Sequence, residues 1–363
     1  MKKFLHFNIY KSIPKGVLNQ VVDEKKTIEQ FQHQIQWDIK IFSHDDADYP
    51  FHENVSSMCK NAFTKEVINY ILLRRKAYGW LANSASKYDA VLLRYRTGDI
   101  FQYIYAKYFG RYFTIHHTME VPESKTRKFP IGIIEAAIES FTGAKVLNGA
   151  TGIIGMTPEI VQYELSRIPH SKPSFCHPNG IDLQHYRAVS DGRVKNGVPT
   201  FLLVASNQDP WHGIDLLLSE LSRTEERFEL HVIGNISASS EHRDDRIIFH
   251  GVRDKRYIEE IASKSDIGLS SFALFRKNMS EACPLKVRQY LAMGIPVYSG
   301  HVDSGLPPDF PYYKNGGLNL NALFDFAKYS RRFYREEVRL ASSKYIDKKL
   351  LMKKLISWVE SVS

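Results

Sequence analysis

Short apolar runs alternate with helical patterns along nearly the whole sequence. Such alternation is typical of parallel sheets, because a helix carries the chain back between two parallel strands. The alternation lapses over the polar stretch 183–197 and then resumes, so two doubly wound sheets are predicted. The predicted strands are Phe4–Ile9, Trp37–Phe42, Tyr88–Tyr95, Tyr112–His116, Gly152–Met156, Ser174–His177, Thr200–Ala205, Glu229–Gly234, Arg246–His250, Asp266–Ser270 and Pro296–Ser299. The predicted helices include Phe63–Leu81, Ile131–Leu147, Pro158–Arg167 and Ile214–Leu221, with more helix over 320–363.

The composition limits the classes of partner. The chain has 49 Lys and Arg against 40 Asp and Glu, a net charge of +9. This charge favours an anionic partner such as a nucleotide or anionic lipid, or serves only solubility. No zinc knuckle, RNP-like stretch or helix-turn-helix pattern indicates nucleic acid. Cys59, Cys176 and Cys283 are scattered, and we see neither a signal peptide nor a span-length apolar run, so a cytoplasmic protein is expected.

The stretch 280–300, SEACPLKVRQYLAMGIPVYSG, carries the most chemistry. Glu281 stands just before Pro284, which can open a helix. Free backbone N–H groups and the positive end of the helix dipole gather at residues 283–286, where a phosphate binds well. Lys286 adds a cation, and Gln289 lies about two helical turns beyond Glu281. This spacing suits a diphosphate that carries a sugar.

The same stretch resembles the E-x7-E motif of retaining GT-B glycosyltransferases of family 4, with Gln289 at the second position. Ala292, Gly294, Pro296 and Val297 match the A-x-G-x-P-V that follows it. The resemblance implies an α/β fold of two facing Rossmann-like domains with a cleft between them. It also implies metal- and cofactor-independent transfer of a hexose from a nucleoside-diphosphate sugar to a glycan or lipid-linked acceptor, in surface polysaccharide biosynthesis.

The resemblance also assigns roles to residues. Glu281 orients the donor sugar, and His117, after the strand RYFTIH, lies near the reacting bond. In the loop 206–213, Asn207 and His212 replace the family's Arg and Lys. The base is expected near Val252 and Arg253. The complete set of expected donor-binding residues is Gly16, Asn207, His212, Gly213, Val252, Arg253, Lys277, Cys283, Pro284, Leu285, Lys286 and Gln289.

Paired histidines also suggest a metal, but His116 and His117 are adjacent on a strand and point to opposite faces. With no third ligand nearby in the sequence, no metal site is expected, and His116 is expected to be buried. Arg94, Arg96 and the segment 123–128 could meet an anionic acceptor, although a solvated loop is favoured for 123–128.

The Asn-Gly pair at 179–180 is a turn by its own chemistry and matches the N-G-I-D that precedes the interdomain crossing in the resembling family. The expected domains are 1–185, joined by the helix 345–363, and 186–344. The resemblance implies that this last helix packs on the first domain.

Three alternatives stay open at this point. The basic amphipathic stretches Phe63–Leu81 and Tyr103–Phe113 could contact an anionic membrane, or could be helices packed on a sheet. A sugar-nucleotide epimerase or hydrolase could use the same fold. A sugar-nucleotide-binding protein without turnover is the third alternative, because Gln289 and the missing Arg and Lys weaken the donor motif.

Overall fold

The computed structural model describes residues 1–31, 35–44, 54–57, 66–194, 197–206, 208–236 and 244–362. The chain forms two compact units, one of residues 1–177 with 352–363 and one of residues 178–351. The first boundary between the units therefore lies before the N-G-I-D turn, whereas the sequence predicted this boundary after residue 185. Ile181 explains the difference, because it is buried in the core of the second unit.

A seven-stranded sheet forms the centre of the first unit, in the order β3-β2-β1-β4-β5-β6-β7, and its strand pairs are parallel. The strands are β1 (Lys2–Tyr10), β2 (Ile35–Ser43), β3 (Val55–Ser57), β4 (Ala90–Arg94), β5 (Tyr112–His116), β6 (Gly152–Gly155) and β7 (Ser174–Cys176). The helices are α1 (Lys15–Glu29), α2 (Glu66–Ser84), α3 (Ile100–Tyr105), α4 (Glu120–Lys125), α5 (Ile131–Gly149) and α6 (Pro158–Ser166).

Two sequence predictions in this unit are wrong. The stretch Tyr103–Phe113 is not one amphipathic helix, because α3 ends at Tyr105 and β5 begins at Tyr112. Gly110 turns the chain between them at φ 64°, a left-handed conformation that favours glycine. The loop expected over 123–128 is helical as far as Lys125.

The second unit contains a six-stranded parallel sheet in the order β10-β9-β8-β11-β12-β13. Its strands are β8 (Thr200–Ala205), β9 (Glu229–Gly234), β10 (Ile247–Phe249), β11 (Ile267–Leu269), β12 (Val297–Ser299) and β13 (Tyr313–Asn315). Its helices are α7 (Ile214–Leu221), α8 (Lys255–Lys264), α9 (Leu285–Ala292), α10 (Leu320–Ser330) and α11 (Arg335–Ile346), and α12 (Lys348–Ser361) follows. The sequence predicted two doubly wound parallel sheets, one before and one after the stretch 183–197, and both are confirmed.

The apolar stripe of α12 packs in the first unit. Leu355, Val359 and Val362 are buried there with Phe4 of β1 and Phe113 of β5. Among the described residues, none of the helices combines the length and the hydrophobicity that a bilayer span requires.

Candidate functional site

The carboxyl ends of the parallel strands place several loops of the second unit along one edge of its sheet. The loop after β11 leads through Glu281 into α9, and the loop after β8 leads into α7. The second loop docks on the first, because the backbone N–H of Phe272 donates to the carbonyl of His212 at 2.9 Å. Two of the sequence-predicted segments, 208–213 and 281–289, therefore lie on connected loops.

The first turn of α9 presents backbone N–H groups without a side-chain cap. Pro284 is the N-cap residue, with φ −69° and ψ 143°, and α9 runs from Leu285 to Ala292. No side chain caps this turn, and the Val287 N–H donates to the carbonyl of Pro284 at 3.1 Å, so the N–H groups of Leu285 and Lys286 are left for a ligand or water. Anion binding at residues 283–286, which the sequence predicted, stays a prediction.

Lys286 in that first turn has a buried ammonium group. Its Nζ atom has no hydrogen-bond partner among the described residues. Burial lowers the pKa of Lys286 to about 8, and the carboxylate of Asp209 acts in the opposite direction. A buried cation without a hydrogen-bond partner is costly, which points to an anion as the missing partner.

The backbone at Glu281 is held from both sides. The N–H of Ala282 donates to the carbonyl of Val302, and the N–H of Val302 donates to the carbonyl of Ser280, both at 3.0 Å. The Glu281 residue is half-buried. A carboxylate on a fixed backbone at this position can accept hydrogen bonds from two neighbouring hydroxyl groups.

Asn179 and Arg288, which the sequence did not assign to the site, fix the approach to α9. The Asn179 side chain donates from Nδ2 to the carbonyl of Cys283 at 2.9 Å, and Arg288 Nε donates to the carbonyl of Asn179 at 2.9 Å. Arg288 also forms a fully buried ion pair with Asp303. The turn at Asn179 therefore positions the segment that carries Cys283, itself buried.

Gln289 points its amide at a neighbouring aromatic residue. Its Nε2 donates to the hydroxyl of Tyr186 at 3.0 Å, and the ammonium of Lys255 lies 4.3 Å from the centre of the Tyr186 ring. This bond orients the amide and leaves its oxygen as an acceptor, where a second glutamate would offer two acceptor oxygens.

Gly213 allows the loop after β8 to pack closely. It has φ 64°, and a Cβ atom there would lie 2.9 Å from the Cβ and N atoms of Ala273. Only glycine fits both the left-handed backbone and this contact. His212, half-buried beside it, ends a short 3-10 helix, Pro210–His212. Asn207 lies outside the described residues.

The cations around this loop differ in their availability. Arg276 is paired with the carboxylate of Asp215, at 3.0 and 2.7 Å, so its charge is already balanced. Lys277 lies over the ring of Trp211, 4.4 Å from its centre. Lys286 therefore remains the cation with the clearest need of an anionic partner.

The remaining predicted donor residues are accessible but are not tied to α9 by a described contact. Val252 and Arg253 follow β10, both exposed, with Arg253 over the ring of Tyr257 at 4.8 Å. Gly16 lies in the first turn of α1 in the first unit, where a Cβ atom would meet nothing within 4 Å.

His117 lines a pocket of about 530 Å³ in the first unit. Its Nδ1 lies 2.7 Å from the sulfur of Met156. Burial, and then the charge of Arg94, lower the pKa of His117 well below its ordinary value. The imidazole is therefore neutral at physiological pH and can donate or accept a hydrogen bond.

His116 is buried, as predicted, and belongs to a cluster of ionisable side chains. Its Nδ1 lies 3.2 Å from Glu120 and 3.7 Å from Glu164, and these three groups could hold a metal ion. The sequence predicted no metal site because no third ligand was recognised near the two histidines, whereas the fold brings in acids from α4 and α6. Arg167 ion-pairs with Glu164 and Glu139, so part of this negative charge is balanced without a metal.

Comparisons with known proteins agree with this architecture. Residues 198–318 match the model of the family described as glycosyl transferases group 1. No curated protein sequence matches the chain. Among solved structures, the lipopolysaccharide outer core galactosyltransferase WaaB, in its apo form, aligns with a TM-score of 0.68 at 15% identity over 99% of each chain.

Two further structures are similar over their whole length. The sucrose-phosphate synthase of Thermosynechococcus elongatus aligns with a TM-score of 0.68 at 15% identity, over 100% of each chain. Anabaena HepE, in complex with UDP and glucose, aligns with a TM-score of 0.68 at 11% identity, over 99% of this chain and 100% of that one. The chain therefore has the GT-B fold of glycosyltransferases, and its residues 198–318 match the group 1 glycosyltransferase domain.

Proposed function

We propose that the protein is a retaining glycosyltransferase that moves a hexose from a nucleoside-diphosphate sugar to a glycan or lipid-linked glycan. The observation that carries this proposal is the buried ammonium of Lys286 in the first turn of α9, which has no side-chain cap and follows Glu281 in the sequence. The similar fold of HepE, whose structure holds UDP and glucose, supports a nucleotide-sugar donor.

In this proposal the second unit binds the donor. The diphosphate lies against the first turn of α9 and Lys286, and His212 contributes a further donor group. Glu281 accepts hydrogen bonds from the sugar hydroxyls, and the Gln289 oxygen accepts one from the ribose. The base lies near Val252 and Arg253.

The chemistry in this proposal is positioning together with stabilisation of the departing diphosphate. The helix dipole and Lys286 stabilise the charge that develops as the anomeric carbon–oxygen bond breaks. The acceptor hydroxyl then attacks the anomeric carbon from the face that the diphosphate leaves and gives its proton to the departing diphosphate oxygen, so the configuration is retained. Neutral His117 orients a hydroxyl by a hydrogen bond. We assign no metal and no cofactor to the reaction.

Exposed apolar side chains of the first unit support a lipid-linked acceptor at the cytoplasmic face of a membrane, in surface polysaccharide biosynthesis. They lie on helices that pack in succession, α2 on α3 and α3 on α5. Exposed Arg75 and Lys76 on α2 add positive charge suited to anionic lipid. The exposed apolar residues of these helices are Val67, Ile68, Leu72, Ile100, Ile104, Ile131, Ile133, Ile134 and Phe141, and exposed Phe129 shortly precedes α5.

The first test of the proposal is a donor screen. Thermal shift against UDP-, GDP- and ADP-sugars identifies the donor, because a ligand that binds only the folded state raises the melting temperature. Release of the nucleoside diphosphate is then measured with and without acceptor. Acceptor-dependent release supports transfer, and an epimer formed without acceptor supports the epimerase. Binding without turnover supports the inactive binding protein.

Replacing Glu281 tests the site itself. We expect Glu281→Ala to lower kcat/KM by about 100-fold or more, because the donor sugar loses the group that orients it. Glu336→Ala, at an exposed glutamate in the first turn of α11, is the matched control and should leave kcat/KM unchanged. Equal rates for the Glu281→Ala variant and the wild type would remove Glu281 from the site.

A further inference from the structure

The pocket of the first unit is unusually rich in arginine. Its lining includes Arg74, Arg94, Arg96 and Arg127, together with the neutral His117. Much of its charge is already paired. Arg127 binds Glu135 through both carboxylate oxygens, at 2.8 and 2.7 Å. The lining also contains Glu66, Glu120 and Glu123, but among the described residues none of these carboxylates forms an ion pair with Arg94 or Arg96.

Arg94 and Arg96 have no carboxylate partner within the described part of the chain. Both guanidinium groups instead lie over the ring of Tyr10, at 5.5 and 5.3 Å from its centre. Burial lowers the pKa of Arg96, and the charges of Arg74 and Arg94 lower it further. Like charges are thus held close together in a cavity, an arrangement that a bound anion would stabilise.

Arg74 brings a third guanidinium group to the same cavity. It is buried and ion-pairs with Asp99 at 2.6 Å. Its Nη1 atom is also buried and has no hydrogen-bond acceptor among the described residues. Among the described residues, these three guanidinium groups make one ion pair, that of Arg74 with Asp99, and the buried Nη1 of Arg74 lacks an acceptor.

Two buried glutamates, Glu120 and Glu139, accept hydrogen bonds from the loop that carries Arg96. The Tyr95 hydroxyl and the Gly98 backbone N–H both donate to Glu139, at 2.8 and 2.7 Å. The Thr97 hydroxyl donates to Glu120. These bonds hold the residues on both sides of Arg96, which restricts the loop backbone from which its guanidinium group extends.

We propose that this pocket binds a phosphoryl group of the acceptor, with Arg94 and Arg96 as its main ligands and Arg74 as a third donor. The proposal rests on the proposed function, since only a transferase needs an acceptor. A phosphoryl group carries up to two negative charges and several acceptor oxygens, so it matches several guanidinium forks, whereas a carboxylate carries one charge.

The flank of the pocket indicates where the rest of such an acceptor would lie. Val67 and Tyr70 of α2 line the pocket and are also exposed. The helix continues from them into the exposed apolar residues described above. A phosphoryl group in the pocket could thus continue into an apolar chain along α2. A phosphorylated glycan offers the same phosphoryl chemistry.

Calorimetric titration of the full-length protein tests the proposal, with UDP present to occupy the donor site. The probes are farnesyl phosphate, farnesoic acid, farnesol and glucose 1-phosphate. We expect farnesyl phosphate to bind at least about tenfold more tightly than farnesol or farnesoic acid, because only it supplies a dianion. Equal affinity for farnesol would overturn the proposal, and this comparison needs no variant.

Variants identify the ligands of the phosphoryl group. The double change Arg94→Gln with Arg96→Gln should weaken farnesyl phosphate binding by about tenfold or more, since two charge-assisted contacts are lost. Arg223→Gln with Arg227→Gln, at two exposed arginines of the second unit, is the matched double control and should leave farnesyl phosphate binding unchanged. Phosphate binding that is insensitive to the double change would place the anion elsewhere and reject the proposal.

The remaining measurements distinguish a lipid from a glycan as the source of the phosphoryl group. They also distinguish a failure of this proposal from a failure of the proposed function. Arginine-dependent binding of glucose 1-phosphate would support a phosphorylated glycan, and binding of farnesyl phosphate alone would support a lipid. If neither phosphate binds, the proposal fails even when a sugar nucleotide is bound and turned over. If phosphate binds but no sugar nucleotide does, the proposed function fails and the pocket stands.

Discussion

Lys286 is the titratable cation that we assign to the diphosphate in the proposed donor site. Burial lowers its pKa to about 8, so the ammonium is present below pH 8 and is lost as the pH rises through 8. Without ligand, the unfolded state binds more protons than the folded state between this pKa and the ordinary value near 10.5. The free energy of unfolding should therefore increase with pH across that interval.

Nucleotide affinity should change in the opposite direction. If Lys286 contacts the diphosphate, the affinity for UDP should fall above pH 8 by up to about tenfold per pH unit. Calorimetric titration between pH 7 and pH 9.5 measures this change. Lys286→Arg keeps its charge over this range, so that variant should bind UDP with the same affinity throughout. A wild-type affinity that does not depend on pH would exclude the contact.

The sequence could indicate Lys286 but not the contacts that hold its helix, α9, in place. The start of the helix between Glu281 and Gln289 could be predicted from this segment alone, because a proline before a helix fixes where the first turn begins. Asn179 and Asp303 hold α9 through contacts with residues distant in sequence. Glu120 and Glu164 likewise reach His116 only because the fold brings α4 and α6 to the end of β5.

Among the structural elements, the loop from β8 to α7 has the tightest packing requirement in the site. Gly213→Ala combines a left-handed backbone with a contact of 2.9 Å to Ala273. Gly317→Ala is a matched control, since Gly317 has φ 59° but open space around its Cβ position.

We expect Gly213→Ala to cost roughly 2–3 kcal/mol of unfolding free energy and Gly317→Ala about 1 kcal/mol, the cost of the backbone conformation alone. Chemical denaturation measures both. Only Gly213→Ala should also weaken UDP binding, because it displaces His212. Equal losses of stability would show that the contact with Ala273 does not constrain the loop.

Several buried strands were predictable with their bounds, whereas two short edge strands were not predicted. Tyr112–His116, Thr200–Ala205 and Glu229–Gly234 have the bounds read from the sequence, since each is a buried run flanked by polar residues. The three-residue strands Val55–Ser57 and Tyr313–Asn315 lie at sheet edges. Their pairing depends on a neighbouring strand and not on any periodicity of their own.

For the whole molecule, net charge indicated an anionic partner without identifying it, because charge counts carry no geometry. The fold separates the candidates by placing an uncapped helix start in the second unit and the arginine pocket in the first. It also places exposed apolar residues on three successive helices of the first unit, α2, α3 and α5. A pattern confined to one helix could not reveal that grouping.

Membrane contact can be tested on that apolar surface. Ile133→Glu with Ile134→Glu should abolish co-sedimentation with anionic vesicles at low salt, because both changes remove exposed apolar area and add negative charge. Leu340→Glu with Tyr334→Glu makes the same charge change at exposed positions near and on α11 of the second unit and should retain co-sedimentation. Failure of the wild type to pellet with vesicles would end the membrane interpretation.

The last helix has a consequence for the order in which the protein can fold on the ribosome. All seven strands of the first unit have been translated by residue 176, yet Leu355, Val359 and Val362 of its core are made only after the whole of residues 178–351. The apolar surface around Phe4 and Phe113 therefore stays uncovered in the nascent chain until α12 has been made. The core of the unit translated first is completed after the second unit, and an apolar surface exposed in the interval favours aggregation.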